Sequence, residues 1–296
     1  MTQEMQFDYL RESALFSLSI HRWRNVGKAD QRKMSMDADK EWVHSAMKLL
    51  ESDEYEAIVQ FQNKIKAEVD AITMSSYFRD GVRVAKIKAV AKIEEILTEA
   101  NKKLKWEIVP PFMEVYANRI ADARNSLRAL FNERKYPTER EVETSFYFEW
   151  AWLTFAVPEN LPDDVREREA EKLRGAFEKA RNDMVAALRI GFGKLVDHAI
   201  ERLTPSEDGK RKIIKDSVVE NLKDFVRTFD MKDITQDSQL AEVVRKAQVL
   251  FVVDGKDVRD NEAMREKVLE QLEGLKPTID QLIEEVPNRR FAFDEA

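Results

Sequence analysis

The 296 residues allow one large domain or two ordinary ones, and a 43% hydrophobic share is enough for a real core. With 35% charged residues, 8 glycines and 8 prolines, the composition describes long, solvated helices, and a net charge of −7 excludes a protein whose whole surface grips nucleic acid. The lack of cysteine excludes thiolate catalysis, disulfides and cysteine-based metal sites, and suits a reducing cytoplasm.

The first residues, Met1-Thr2-Gln3-Glu4-Met5-Gln6, form no basic, apolar leader, and no apolar run approaches the roughly 20 residues a membrane span needs. The expected class is therefore a soluble cytoplasmic protein with no membrane partner. Residues 5–13 read as a short helix or an extended arm. Phe16, Leu18 and Ile20 then alternate with Ser17, Ser19 and His21, the period-2 pattern of a half-buried strand. A lone strand in a helical chain needs a partner for its open N–H and C=O groups. It runs into a basic, aromatic knot, Arg22-Trp23-Arg24, followed by Lys28. Residues 30–39 read as a loop.

Helical spacing predicts a helix over about 38–50, with Trp42, Met47 and Leu50 inward. Ser52 caps the next, which carries Ile58, Phe61, Ile65 and Val69. Thr73-Met74-Ser75-Ser76 breaks it. From 82 to 105 a seam of Val84, Ile87, Val90, Ile93, Leu97, Ala100 and Leu104 predicts one helix. Its expected outer face holds Arg79, Arg83, Lys86, Lys88, Lys92, Lys102, Lys103 and Lys105. Pro110-Pro111 ends that unit, and a helix over 112–134 follows. Thr138 and Glu141 have capping-box spacing. The helix they start is expected to hold Phe146, Tyr147, Phe148, Trp150, Trp152 and Phe155.

Residues 163–203 contain no proline and read as a single amphipathic helix of roughly 60 Å. The loop Thr204–Gly209 is the best internal boundary, and helices are expected over 216–229, 237–253 and 261–285. The predicted fold is mainly α: an elongated multi-helix bundle with long amphipathic helices and a small N-terminal β element. Its expected parts are an arm over 1–36, a long-helix bundle over 37–204 and a C-terminal helical subdomain over 205–296.

Chemistry is sparse. His21, His44 and His198 show no metal-ligand spacing, so neither a metal nor another cofactor is expected. Gly191-Phe192-Gly193-Lys194 lacks the spacing, the following Ser or Thr and the preceding strand of a phosphate loop, and reads as a helix bend or a close helix contact. Glu143, Glu149 and Asp183 lie near apolar runs and are candidates for burial. The knot is the strongest functional feature. Arg and Trp are favoured at interface hot spots and also suit phosphate contact with base stacking; the plainer reading is that Trp23 packs down and the arginines pair with acids. Candidate contact residues are Arg22, Trp23, Arg24, Lys28, Arg79, Arg83 and Lys86.

Five segments carry a family resemblance. They are Leu18–Arg24, Ser75–Val82, Lys135-Tyr136-Pro137, Leu188–Phe192 running on to Leu203-Thr204-Pro205, and Asp216–Leu222. In these the chain resembles the DUF3150 family, found in phages, plasmids and integrative elements and without an established activity. Genes of that family tend to lie near those for MoxR-like AAA+ ATPases and von Willebrand-type A proteins. The resemblance implies a working partner of an ATP-driven machine on a mobile element. Together these readings predict a non-enzymatic, self-assembling interaction protein. The alternatives are a nucleic-acid-binding accessory protein using the basic-aromatic patch, and an enzyme whose site is assembled from distant helices.

Overall fold

The computed structural model of the chain describes residues 12–33, 45–77, 79–205, 212, 216–248, 258 and 261–286. As the sequence predicts, these are mainly helical with a small β component near the N-terminus. No helix among them is long and apolar enough to cross a membrane.

The chain divides into two compact units. One takes its described residues from Met1–Phe16, Ala71–Ala89 and Trp152–Ala296, the other from Ser17–Asp70 and Val90–Ala151. This division is not the one drawn from sequence: residues 37–204 are shared between both units, because the chain passes from one to the other several times.

In the first unit, α5 (Asp163–Leu203) is the unbroken 41-residue helix that the proline-free stretch predicts. Against it lie α6 (Asp216–Lys232), α7 (Ser238–Gln248) and α8 (Glu262–Glu284). Their apolar stripes recur at three- and four-residue spacings and close one core around Met184, Phe192, Leu222, Leu240 and Leu272. Phe192 and Phe225 stack with centroids 5.1 Å apart across α5 and α6. Gly193 marks the close helix contact: a Cβ there would lie 2.7 Å from Ile283 Cδ1 and 3.3 Å from Ile279 Cγ2. Arg265 is buried, and its guanidinium donates to the carbonyls of Arg202 and Leu203, which end α5.

This unit also corrects two readings. Met74–Ser75 is a strand (β4) and Val82–Lys86 another (β5), paired antiparallel with Met74 opposite Val84 and Ser75 opposite Arg83. The predicted helix over 82–105 therefore starts only at Ile87. Val82, Val84 and Ala85 are buried, and the run suits a pleated, largely buried strand as well as a helix. Tyr77 (φ 58°) and Gly81 (φ 76°) hold the left-handed conformations of the connecting turn.

In the second unit, α1 (Asp53–Ala71) begins where the Ser52 hydroxyl accepts from the Tyr55 N–H at 3.2 Å, and it buries Tyr55, Ile58, Gln62, Ile65 and Val69. Helix α2 (Ile87–Lys103) runs into a π-helical turn over Leu104–Ile108. The Val109 N–H bonds Leu104 O at 3.0 Å, and α3 (Pro110–Leu127) follows with its prolines in the first turn. The prolines thus open a helix. α3 ends at Leu127, short of the predicted 134. The Thr138–Glu141 capping box is present, but its helix, α4 (Glu139–Glu143), is one turn long.

The aromatic run that follows is a strand, not a helix. β6 (Tyr147–Leu153) buries Phe148 and exposes Tyr147, Glu149 and Ala151. That is period-2 alternation, in residue types that favour pleated surfaces. The predicted helix over 38–50 is likewise corrected where it is described. Ala46–Lys48 is a strand (β3) paired antiparallel with β2 (Val26–Lys28), with Gly27 opposite Met47; residues 38–44 lie outside the described residues.

The expected N-terminal strand is present as β1 (Ser13–His21). It has partners within the chain: the four-stranded order is β4-β5-β1-β6, which places β1 between two neighbours.

Candidate functional site

The Arg22–Lys28 knot lies in the second unit and is built around Trp23. The Trp23 N–H donates to Ser145 Oγ at 3.0 Å, and its carbonyl accepts from the Tyr55 hydroxyl at 2.9 Å. The indole meets Tyr55 and Tyr116 edge-on, each at 5.9 Å between centroids, and lies stacked at 6.5 Å from Phe112. Trp23 is therefore half-buried and packs down, the plainer of the two sequence readings. The next turn is pinned by buried Asn25, whose amide donates to Leu50 O and accepts from Leu50 N, both at 2.7 Å. Burial pushes the Tyr116 hydroxyl up to about 12, so it stays protonated and donates to Pro137 O at 2.8 Å.

Arg22 and Arg24 remain exposed on either side of Trp23, and Lys28 is exposed in β2. His21, at the end of β1, stacks on Tyr147 at 4.2 Å and meets Glu149 Oε2 at 2.9 Å. Arg79, Arg83 and Lys86 belong to the other unit, and they lie on a turn and a strand, not on the helix face expected for them. Arg79 sits in the β4–β5 turn with its guanidinium 5.8 Å from the Phe155 ring centre; Arg83 and Lys86 are on β5. Farther along the predicted basic face, Lys88 pairs with Asp230, Lys92 with Glu95 and Lys102 with Glu99.

Two features were missed by sequence reasoning. The first is Trp106, on the π-helical turn of the second unit. It is 70% exposed, with Lys105 Nζ 4.7 Å from its ring centre. Its signal was a Trp out of phase with the α2 seam, between Lys105 and Glu107.

The second is a cavity of about 340 Å³ in the first unit, lined from α5, the α6–α7 turn and the end of α8. Its fixed wall is Arg189, buried on α5. Arg189 Nε donates to Asp237 Oδ2 at 2.7 Å and Nη2 to Asp237 Oδ1 at 3.2 Å; Nη2 also meets Gln239 Oε1 at 2.9 Å, and Nη1 meets Leu282 O at 2.8 Å. Asp237 also caps α7, accepting from Leu240 N at 3.2 Å. Burial acts to raise the Asp237 carboxyl, but the bonds from Arg189 and the α7 backbone outweigh it and hold it below the ordinary range. Asp233, which accepts from Asp237 N at 2.9 Å, is raised by burial. Thr235 lines the cavity at 6% exposure, and its hydroxyl has no hydrogen-bond partner.

Of the carboxylates considered for burial, Glu143 and Glu149 are exposed and Asp183 is half-buried. Among the described residues, no group of three or more His, Asp or Glu is placed to hold a metal ion; His44 lies outside them. No family model, no curated protein and no solved structure matches the chain.

Proposed function

We propose that this chain is an interaction protein that assembles through the side chains of its second unit, with another copy of itself as the first partner. The observation that carries this reading is Trp106. A large aromatic ring at 70% exposure is of the residue type most enriched at binding hot spots, held here on a π-helical turn between two helices. Its sequence neighbours include Lys103 and Lys105 on one side and Glu107 on the other.

The open-strand argument drawn from sequence does not support assembly. β1 is flanked on both sides, and both backbone groups of Phe148 on the edge strand β6 are taken by the Asn101 side chain at 2.8 and 2.9 Å. Deleting the arm would unmake the sheet, so it is no clean test. Trp106→Ala is the better one: light scattering after size exclusion should show the assembled mass fall while circular dichroism stays unchanged.

The resemblance to DUF3150 proteins supports a further proposal, that the assembly works in the cytoplasm beside an AAA+ ATPase and a von Willebrand-type A protein on a phage or other mobile element. The nucleic-acid reading is weaker. Trp23 is committed to its aromatic cluster, and Lys88, Lys92 and Lys102 are paired with acids.

A further inference from the structure

We propose that the cavity between α5, the α6–α7 turn and the end of α8 binds a small molecule bearing a single oxyanion group, a carboxylate or a phosphate, held by Arg181 and the first turn of α7. The proposal is independent of assembly through Trp106.

Three observations carry it. The first is shape: about 340 Å³ lies at the small end of ligand pockets, which suits a compact molecule and excludes a folded partner. Arg181, Val185 and Arg189 recur every fourth residue of α5 and so form one wall.

The second is how the charges are used. Arg189 gives its donors to Asp237, Gln239 and Leu282, which makes it a fixed part of the wall. Arg181 lines the same cavity, is exposed, and makes no ion pair among the described residues. Arginine presents a planar fork matched to carboxylate and phosphate oxygens. The N-terminus of α7 adds partial positive charge at Ser238 and Gln239. Asp237 and Glu285 supply two negative charges against the two arginines, and Glu285 Oε2 lies 3.6 Å from Arg189 Nη1. That balance favours a ligand with one anionic group over a polyanion.

The third is Thr235. Its side chain is more than nine-tenths buried at the cavity wall, and its hydroxyl is unpartnered. A buried hydroxyl without a partner is destabilising, and such a group in a native fold calls for an explanation. A polar ligand in the cavity supplies one.

The test is a titration of the full chain with inorganic phosphate and, separately, with acetate at constant ionic strength. It is followed by the amide resonances of Thr235, Ser238 and Gln239. A saturable shift at these amides with either probe supports the proposal, and the probe that binds more tightly identifies the group. Arg181→Gln should weaken that binding at least fivefold with the fold unchanged, since Arg181 is exposed. Thr235→Val should weaken it while leaving the Arg189–Asp237 pair in place. No saturable shift with either probe overturns the proposal, as does equal affinity in the Arg181→Gln protein.

Discussion

Trp23, between two arginines, and Trp106, between Lys105 and Glu107, have opposite fates. Trp23 packs among Tyr55, Phe112 and Tyr116, so Trp23→Ala should cost about 3 kcal/mol in denaturant unfolding. Arg22→Ala and Arg24→Ala, on exposed side chains, should each stay within about 0.5 kcal/mol. Equal losses in all three would remove the structural role given to Trp23. Sequence alone left that role open, because the rings that bury Trp23 come from distant segments. Arg189 was likewise given no role from sequence, since its acid lies 48 residues away. Asp237→Asn should cost about 3 kcal/mol by removing the buried counter-charge of Arg189 and leaving only the more exposed Glu285. The two buried carboxyls also differ in sign. Asp237 sits below its ordinary value, so its contribution is present above that value and is lost as pH falls through the depressed one. Asp233 sits above its ordinary value, so the native state holds its proton longer, and stability declines as pH rises from the ordinary value through the raised one. Asp233→Asn keeps an acceptor for Asp237 N and should flatten that decline; an unchanged pH profile of unfolding would contradict the assignment.

At the scale of elements, sequence pattern worked best where one period ran long. The 41-residue α5, the Ser52 cap and the Thr138–Glu141 box were all legible because each depends on residues a few positions apart. Residues 82–86 and 147–153 were misread because short apolar and aromatic runs fit both periods, and the strand that neighbours both, β1, lies far back in the chain. The cavity was illegible for the same reason: its walls come from α5, the α6–α7 turn and the end of α8. The Gly191–Lys194 segment was correctly refused as a phosphate loop and read as a bend or a close contact. Gly193 makes the close contact, against α8. Gly193→Ala should destabilise by about 1–2 kcal/mol, the overlap with Ile283 outweighing the gain in helix propensity. Adding Ile283→Val, which deletes the clashing Cδ1, should recover part of that loss. Additive losses in the double variant would mean the contact is not the cause.

For the whole molecule, the predicted class is borne out as mainly α with a small N-terminal β element, whereas the course of the chain was not foreseen. β1 and β6 each contribute residues to both compact units, so a linear division at 36 and 204 does not follow the packing. The same sheet changes the argument about assembly. The strand that looked open in sequence is interior, and among the described residues the most exposed large apolar side chain is Trp106. The most direct measurement is therefore the solution mass of the full chain at micromolar concentration, compared with Trp106→Ala at matched helicity. The account predicts a multiple of 34.5 kDa for the parent chain and 34.5 kDa for the variant. A parent chain that is already monomeric, or a variant that keeps the full assembled mass, would contradict it.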